Sequence, residues 1–248
     1  MDNVHATTAL DGDGLDLGAF VRGAAHDFAN PLNAISLNAE LAKLLLERDQ
    51  PERARAVLER LLADCARCGK LVQGMQRFGS GLHAYPREAI SVRALIDAAV
   101  AVAAHERSDV LPALRIDGVD AQISVDRPAL ERTIAGLLHN AAEAAATTIE
   151  IRIRRDDDAV AIDIRDNGGG IPVELRARVA DAFFTTRRAE GSSGLGLTLA
   201  HELLRTHGGA LIIAENAGGG THIELRLPQH LPEARDGAIP LTPARVRP

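Results

Sequence analysis

The stretch AAHDFANPLNAISLNAELA, Ala24–Ala42, sets a histidine, several asparagines and a proline inside what otherwise reads as one long amphipathic helix. Around it Val21, Ala25, Phe28, Leu32, Ile35, Ala39, Ala42 and Leu46 follow one another at spacings of 4, 3, 4, 3, 4, 3 and 4, a heptad seam. Leu37, Leu41 and Leu44 form a second apolar stripe beside it. A break at Asp49, Gln50 and Pro51 precedes another seam of Leu58, Leu61, Cys65, Cys68, Val72 and Met75. The spacing predicts two antiparallel helices of ~45 Å each. With apolar residues on two faces, neither helix is satisfied by the other alone, so two hairpins are expected to pair into a four-helix bundle as a homodimer. Pro31 stands out, because proline inside a helix costs about 3 kcal/mol.

Composition narrows the function. The chain has 248 residues, 46% of them apolar, which is enough for a folded core. With 2% aromatic residues, no Trp and a net charge of -6, it lacks the basic, aromatic surface that binds nucleic acid, so no nucleic acid partner is expected. No run approaches the ~20 apolar residues of a membrane span, and MDNVHATTALDGDG is too acidic and polar for a signal peptide. A cytoplasmic protein without membrane insertion is the expectation. Cys65 and Cys68 make a CxxC, but no second CxxC or zinc-spaced His pair accompanies it, and the pair is expected to be small core residues.

Residues 1–14 are expected to be flexible and 15–78 to form the hairpin. The segment GSGLHAYPRE opens a linker over 79–90, after which the pattern changes. Helices are predicted from Ser91 to His105 and from an Asp126 cap to Ala146. Ile149, Ile151 and Ile153, then Val160, Ile162 and Ile164, alternate with polar residues on either side of an Asp156–Asp158 turn, an antiparallel hairpin. The three aspartates read as a solvated turn or, less economically, a metal ligand set. A helix from Gly194 to Thr206 and strands at Leu211–Ala214 and Thr221–Leu227 complete an α+β sandwich over 91–227. The Pro-rich tail, 228–248, is expected to be extended or partly disordered.

Four local patterns in this region carry chemistry. LLHNAAEAA places Asn140 in mid-helix, either as a tolerated surface residue or as a hard oxygen ligand for Mg²⁺. DNGGGIP fixes the Asp166 carboxylate at a strand end before three glycines, which make either a flexible turn or a close approach to a planar ligand. AFFTTRR has two phenylalanines that suit a lid or a core. GSSGLGLTLAHELL runs glycines into a helix N-terminus, where free N–H groups favour phosphate, although it is neither a Walker loop nor a dinucleotide fingerprint.

In this order the patterns resemble the N, G1, F and G2 boxes of the ATP-binding domain of sensor histidine kinases, the Bergerat fold also found in gyrase and MutL. HDFANPL resembles the H box of their dimerisation domain, so the resemblance covers nearly the whole chain. It implies ATP-dependent autophosphorylation of His26, with Asp27 holding the imidazole tautomer and stabilising the imidazolium, and Pro31 loosening the helix one turn along. Asn30, four residues on, would orient water for a phosphatase reaction; alternatively it is a tolerated neighbour of Pro31. Asp166 would accept the adenine amino group and Asn140 would coordinate Mg²⁺. Gly168 and Gly170 would shape the adenine pocket, while Thr186, Arg187, Gly194, Leu195 and Gly196 would surround the phosphates, with Arg188 a second candidate for the γ-phosphate. Gly136, Ala180 and Ala182 depart from the family pattern.

The implied partner is a response regulator receiver domain. The short segment ahead of HDFANPL leaves no room for a sensory domain, so input is expected from a partner such as a separate sensory protein, from the tail or from the cellular environment. A non-catalytic phosphotransfer scaffold is the alternative function; a serine kinase using the same ATP fold would have no use for HDFANP on a heptad helix.

Overall fold

The computed structural model describes residues 8–9, 17–81, 86–106, 111–187, 192–216 and 218–229. The expected tail beyond 229, Arg188 and Gly191 lie outside them. Helices α1 (Leu17–Glu47) and α2 (Pro51–Gly81) form the antiparallel hairpin, with Pro31 inside a continuous α1. α2 runs through Gly79 and Gly81, where glycine was expected to end it.

Within the single chain, Ala24, Asp27, Pro31, Ala42 and Leu45 of α1 and Ala54, Val57 and Leu71 of α2 are buried, and Ala42, Leu45, Ala54 and Val57 form one cluster between the helices. The expected seam is therefore only partly buried within one chain. Val21, Leu32 and Leu46 are more than half exposed, as are Leu37 and Leu62 of the other apolar stripes. The cysteines go with that outer face: Cys65 is exposed and Cys68 half-buried, both free, so they are not core residues of the single chain. Each helix carries two apolar stripes, and only the facing pair is covered.

The remaining chain is an α/β unit. A six-stranded sheet has the order β1-β7-β8-β6-β5-β3, from β1 (Thr8–Ala9), β3 (Ala113–Gly118), β5 (Thr148–Asp156), β6 (Ala159–Asp166), β7 (Ala210–Glu215) and β8 (Thr221–Pro228). Only β3–β5 is parallel. A separate ribbon joins β2 (Glu88–Ser91) to β4 (Gln122–Val125). The expected β5–β6 hairpin is present, with Ile151 opposite Ile164 and Ile153 opposite Ile162. Their side chains enter a core under α3 (Val92–Glu106), α4 (Arg127–Glu143) and α6 (Gly196–Thr206), where Leu95, Ile134, Leu138 and Leu204 are fully buried. Asp126 caps α4 as expected, its carboxylate accepting from Ala129 N at 3.0 Å.

The other face of the sheet is polar and partly exposed, with Arg154, Arg165 and Arg226 reaching solvent around a buried carboxylate. Asp163, with no exposed surface, accepts from Arg154 Nε at 2.6 Å and lies 2.6 Å from His222 Nε2. Burial alone would raise the Asp163 pKa, but these two hydrogen bonds outweigh it and hold the carboxyl far below the usual carboxylate range. Asp163, His222 and Glu224 are close enough to share a metal ion, yet Arg154 already pairs with both carboxylates. The cluster therefore reads as a neutralised ion network that lets the sheet bury charge.

Candidate functional site

A cavity of about 810 Å³ opens between α4, the loop after β6, the 183–187 segment, the start of α6 and one side of α2. Seven residues singled out from the sequence line it: Asn140, Asp166, Gly170, Thr186, Arg187, Gly194 and Gly196. Elements far apart in the chain bring them together, because α4 and α6 pack side by side above the end of β6.

At one end, Asp166 Oδ1 accepts from the amides of Gly168 at 2.8 Å and Thr221 at 3.2 Å, while its backbone carbonyl accepts from Asn216 Nδ2 at 2.9 Å. These bonds hold a 7% exposed carboxylate in place and leave Oδ2 as the oxygen for a ligand donor. Gly168 therefore supports the carboxylate from behind instead of lining the cavity. Three supporting residues are not among the candidates read from the sequence, although Asn167 sits inside DNGGGIP. Asn167 pins the loop by accepting from the amides of Thr147 at 2.9 Å and Thr148 at 3.0 Å. Thr221 and Gly220 come from β8 and the turn before it, and any side chain on Gly220 would collide with the Asp166 carbonyl.

At the other end, Arg187 Nη1 is ion-paired with Glu143 at 3.4 Å but, among the described residues, this buried nitrogen makes no hydrogen bond. An orphaned cationic donor inside a cavity suits an anion such as phosphate. Asn140, beside the start of α6, makes no side-chain hydrogen bond among the described residues, so its amide oxygen is free for a hard cation such as Mg²⁺. Gly194 has a positive φ of 66°, and a Cβ there would press within 2.6 Å of the Phe184 carbonyl oxygen, so only glycine allows this approach to the helix start. Leu195, 3% exposed, turns away into a cluster with Phe183 and Ala24. Phe184 lines the cavity, its ring capped by Arg178 at 4.7 Å.

His26, Asp27 and Asn30 are outside the cavity wall. His26 is exposed, its Nε2 3.3 Å from the Asn30 amide nitrogen. Asp27, next to His26, is 7% exposed, and adjacent residues in a helix do not share a face. His26 lies 21 residues before the end of α1 and Val72 21 residues after the start of α2, so the cavity wall of Lys70, Gln73 and Gly74 is level with His26 along the hairpin.

Residues 125–231 match the family of histidine kinase-, DNA gyrase B- and HSP90-like ATPases, and residues 16–81 match the His Kinase A phospho-acceptor domain. The chain is 30% identical over 218 residues to the C4-dicarboxylate transport sensor protein DctB of Pseudomonas aeruginosa, covering 85% of this chain and 36% of that protein. It is 30% identical over 244 residues to the sensor protein CzcS of Cupriavidus metallidurans, covering 94% of this chain and 50% of that one. The chain thus spans a third to a half of these curated relatives' length. Among solved structures, the mycobacterial sensor histidine kinase MprB matches with a TM-score of 0.50 and 28% identity, over 57% of this chain and 97% of that one. The histidine kinase ThkA, crystallised with the response regulator TrrA, shares the fold with a TM-score of 0.64 at 21% identity, over 86% of this chain and 62% of that one. No helix among the described residues is long and apolar enough to cross a membrane.

Proposed function

Because the chain belongs to the sensor histidine kinase family, with a phospho-acceptor hairpin and a histidine kinase-type ATPase domain, we propose that it phosphorylates itself on His26 from ATP and passes the phosphate to an aspartate of a response regulator. One observation carries the reading: a cavity with a buried carboxylate at one end and an orphaned arginine nitrogen at the other is walled by the same hairpin that exposes His26, level with the wall.

Asp166 takes the adenine amino group, Thr186, Arg187, Gly194 and Gly196 surround the phosphates, and Asn140 holds Mg²⁺. When bound, the ion would neutralise phosphate charge. His26 acts as a neutral imidazole whose Nε2 carries the lone pair, the tautomer in which the Asn30 amide can donate to it. Nε2 forms the N–P bond as the bond between the γ-phosphorus and the bridging oxygen breaks and ADP leaves. The imidazolium then loses its Nδ1 proton, and the buried Asp27 carboxylate favours the cationic stage through space. Transfer to a regulator reverses the roles, a carboxylate oxygen attacking the phosphorus and His26 leaving.

The uncovered stripe of Leu37, Leu41, Leu44, Leu58 and Leu62 supports a homodimer through a four-helix bundle. Asn30 shares the solvent side of α1 with His26 and is the group that would orient water on a regulator's aspartyl phosphate, giving the kinase a phosphatase activity. Incubation with Mg²⁺ and γ-labelled ATP, followed by acid or alkali, tests the central step. An acid-labile, base-stable phosphate is expected; an acid-stable one contradicts the histidine reading, and no label at all favours a phosphotransfer scaffold.

A further inference from the structure

The hairpin does more than present a histidine, because α2 supplies one wall of the cavity. Lys70, Gln73 and Gly74 line it together with Ser193 and Gly194 of the loop before α6. Two helix glycines fit the hairpin to its neighbour. A Cβ on Gly74 would lie 2.7 Å from Ser193 Cβ and Oγ, and a Cβ on Gly23 of α1 would lie 2.7 Å from the Phe183 ring. Gly69, one turn earlier on α2, meets nothing within 4 Å. Glycine inside a helix costs ~1 kcal/mol relative to alanine, and at these two positions the absent side chain makes room for the ATPase domain. Ala24, Phe183 and Leu195 close the seat, with Phe20 and Met75 packed around them.

Lys70 stands four residues before Gly74 and therefore on the same face of α2. Gly74 abuts Ser193, so this face meets the cavity at its glycine-loop end, where Arg187 has its orphaned nitrogen, and not at the Asp166 end. A lysine ammonium is a compact point charge suited to phosphate.

We propose that Lys70 of the phospho-acceptor hairpin is a contact for the nucleotide's terminal phosphates, carried into the cavity by the docking of the ATPase domain on Gly23 and Gly74. The inference rests on the ATP reading above and adds a residue from the other domain to the binding site. Nucleotide binding and docking then favour each other by the same factor, since coupling between two equilibria is reciprocal.

Calorimetric titration of the full chain with a non-hydrolysable ATP analogue and, separately, with adenosine, both in Mg²⁺, tests this. Lys70→Met should weaken the analogue about tenfold, ~1.4 kcal/mol, and leave adenosine unchanged. Gly74→Leu, which keeps a good helix former in α2, should weaken the analogue similarly, and Lys70→Met should add nothing to it. If the wild type binds the analogue and Lys70→Met binds it equally well, or loses adenosine equally, the inference is overturned and the ATP reading stands. A wild type that binds neither ligand overturns both.

Discussion

Phe20 of the phospho-acceptor helix and Phe183 of the ATPase domain pack with ring centroids 5.0 Å apart and planes inclined at 45°. Phe183 is 4% exposed and holds a positive φ of 65°, a conformation an aromatic residue rarely adopts. The strain aims its ring out of its own domain and onto α1, three to six residues before His26. An aromatic pair is worth roughly 0.5–1.5 kcal/mol beyond its buried area. Phe20→Ala should therefore raise hydrogen exchange of the 183–187 segment about 2- to 10-fold, with little change in the exchange of β5 and β6. Equal exchange in both proteins would show that the contact does not hold the domains together.

Nucleotide affinity should depend on Asp166 more than on any neighbour. Asp166→Ala removes the buried acceptor and orphans the amides of Gly168 and Thr221, a loss of about 1–3 kcal/mol, or roughly 5- to 150-fold in ATP affinity. Calorimetry on the variant checks it, and an unchanged affinity would remove Asp166 from the site.

His207 ties the end of α6 to the start of α4. Its Nε2 accepts from Asp126 N at 3.0 Å while Nδ1 donates to the Leu203 carbonyl at 2.8 Å, which requires the neutral ring. Burial pushes the His207 pKa below its ordinary value. The unfolded chain therefore takes up a proton first as pH falls, so the stability contributed by the neutral ring is complete above about pH 6.5 and declines below it. Thermal melts from pH 7.5 to 5 should fall more steeply for the wild type than for His207→Gln, and parallel curves would contradict this.

The phosphatase proposal predicts a separation of activities at Asn30. Asn30→Ala should retain autophosphorylation of His26 and lose dephosphorylation of a pre-phosphorylated cognate regulator. Equal dephosphorylation by both proteins would leave Asn30 as a neighbour of Pro31 and nothing more.

Where local pattern and tertiary contact agree, the sequence was a sufficient guide. A one-residue slip between the alternating isoleucines of β5 and β6 would turn polar residues inward, and Asp126 needs just its own helix to act as a cap. The four-residue β2 and β4 carry little of a period, and the pairing of β2 with β4 and of β3 with β5 is decided by distant segments. The hairpin illustrates a choice that sequence leaves open. Both helices carry two apolar stripes, and only packing decides that Ala24, Ala42 and Leu45 face inward while Val21, Leu32 and Cys65 face out. In the cavity, Asp166 and Gly194 were legible because their motifs are contiguous. Asn167 stands in the same motif as Asp166, but its role, like that of Thr221, depends on a residue brought near only by folding.

The central claim is that His26 accepts the phosphate. It is tested most directly by incubating the wild type and His26→Gln with Mg²⁺ and γ-labelled ATP, after circular dichroism and sedimentation have shown that both share one fold and one oligomeric state. An acid-labile label on the wild type, absent from His26→Gln although that variant still binds ATP, is the result predicted here. Undiminished labelling of His26→Gln would contradict it.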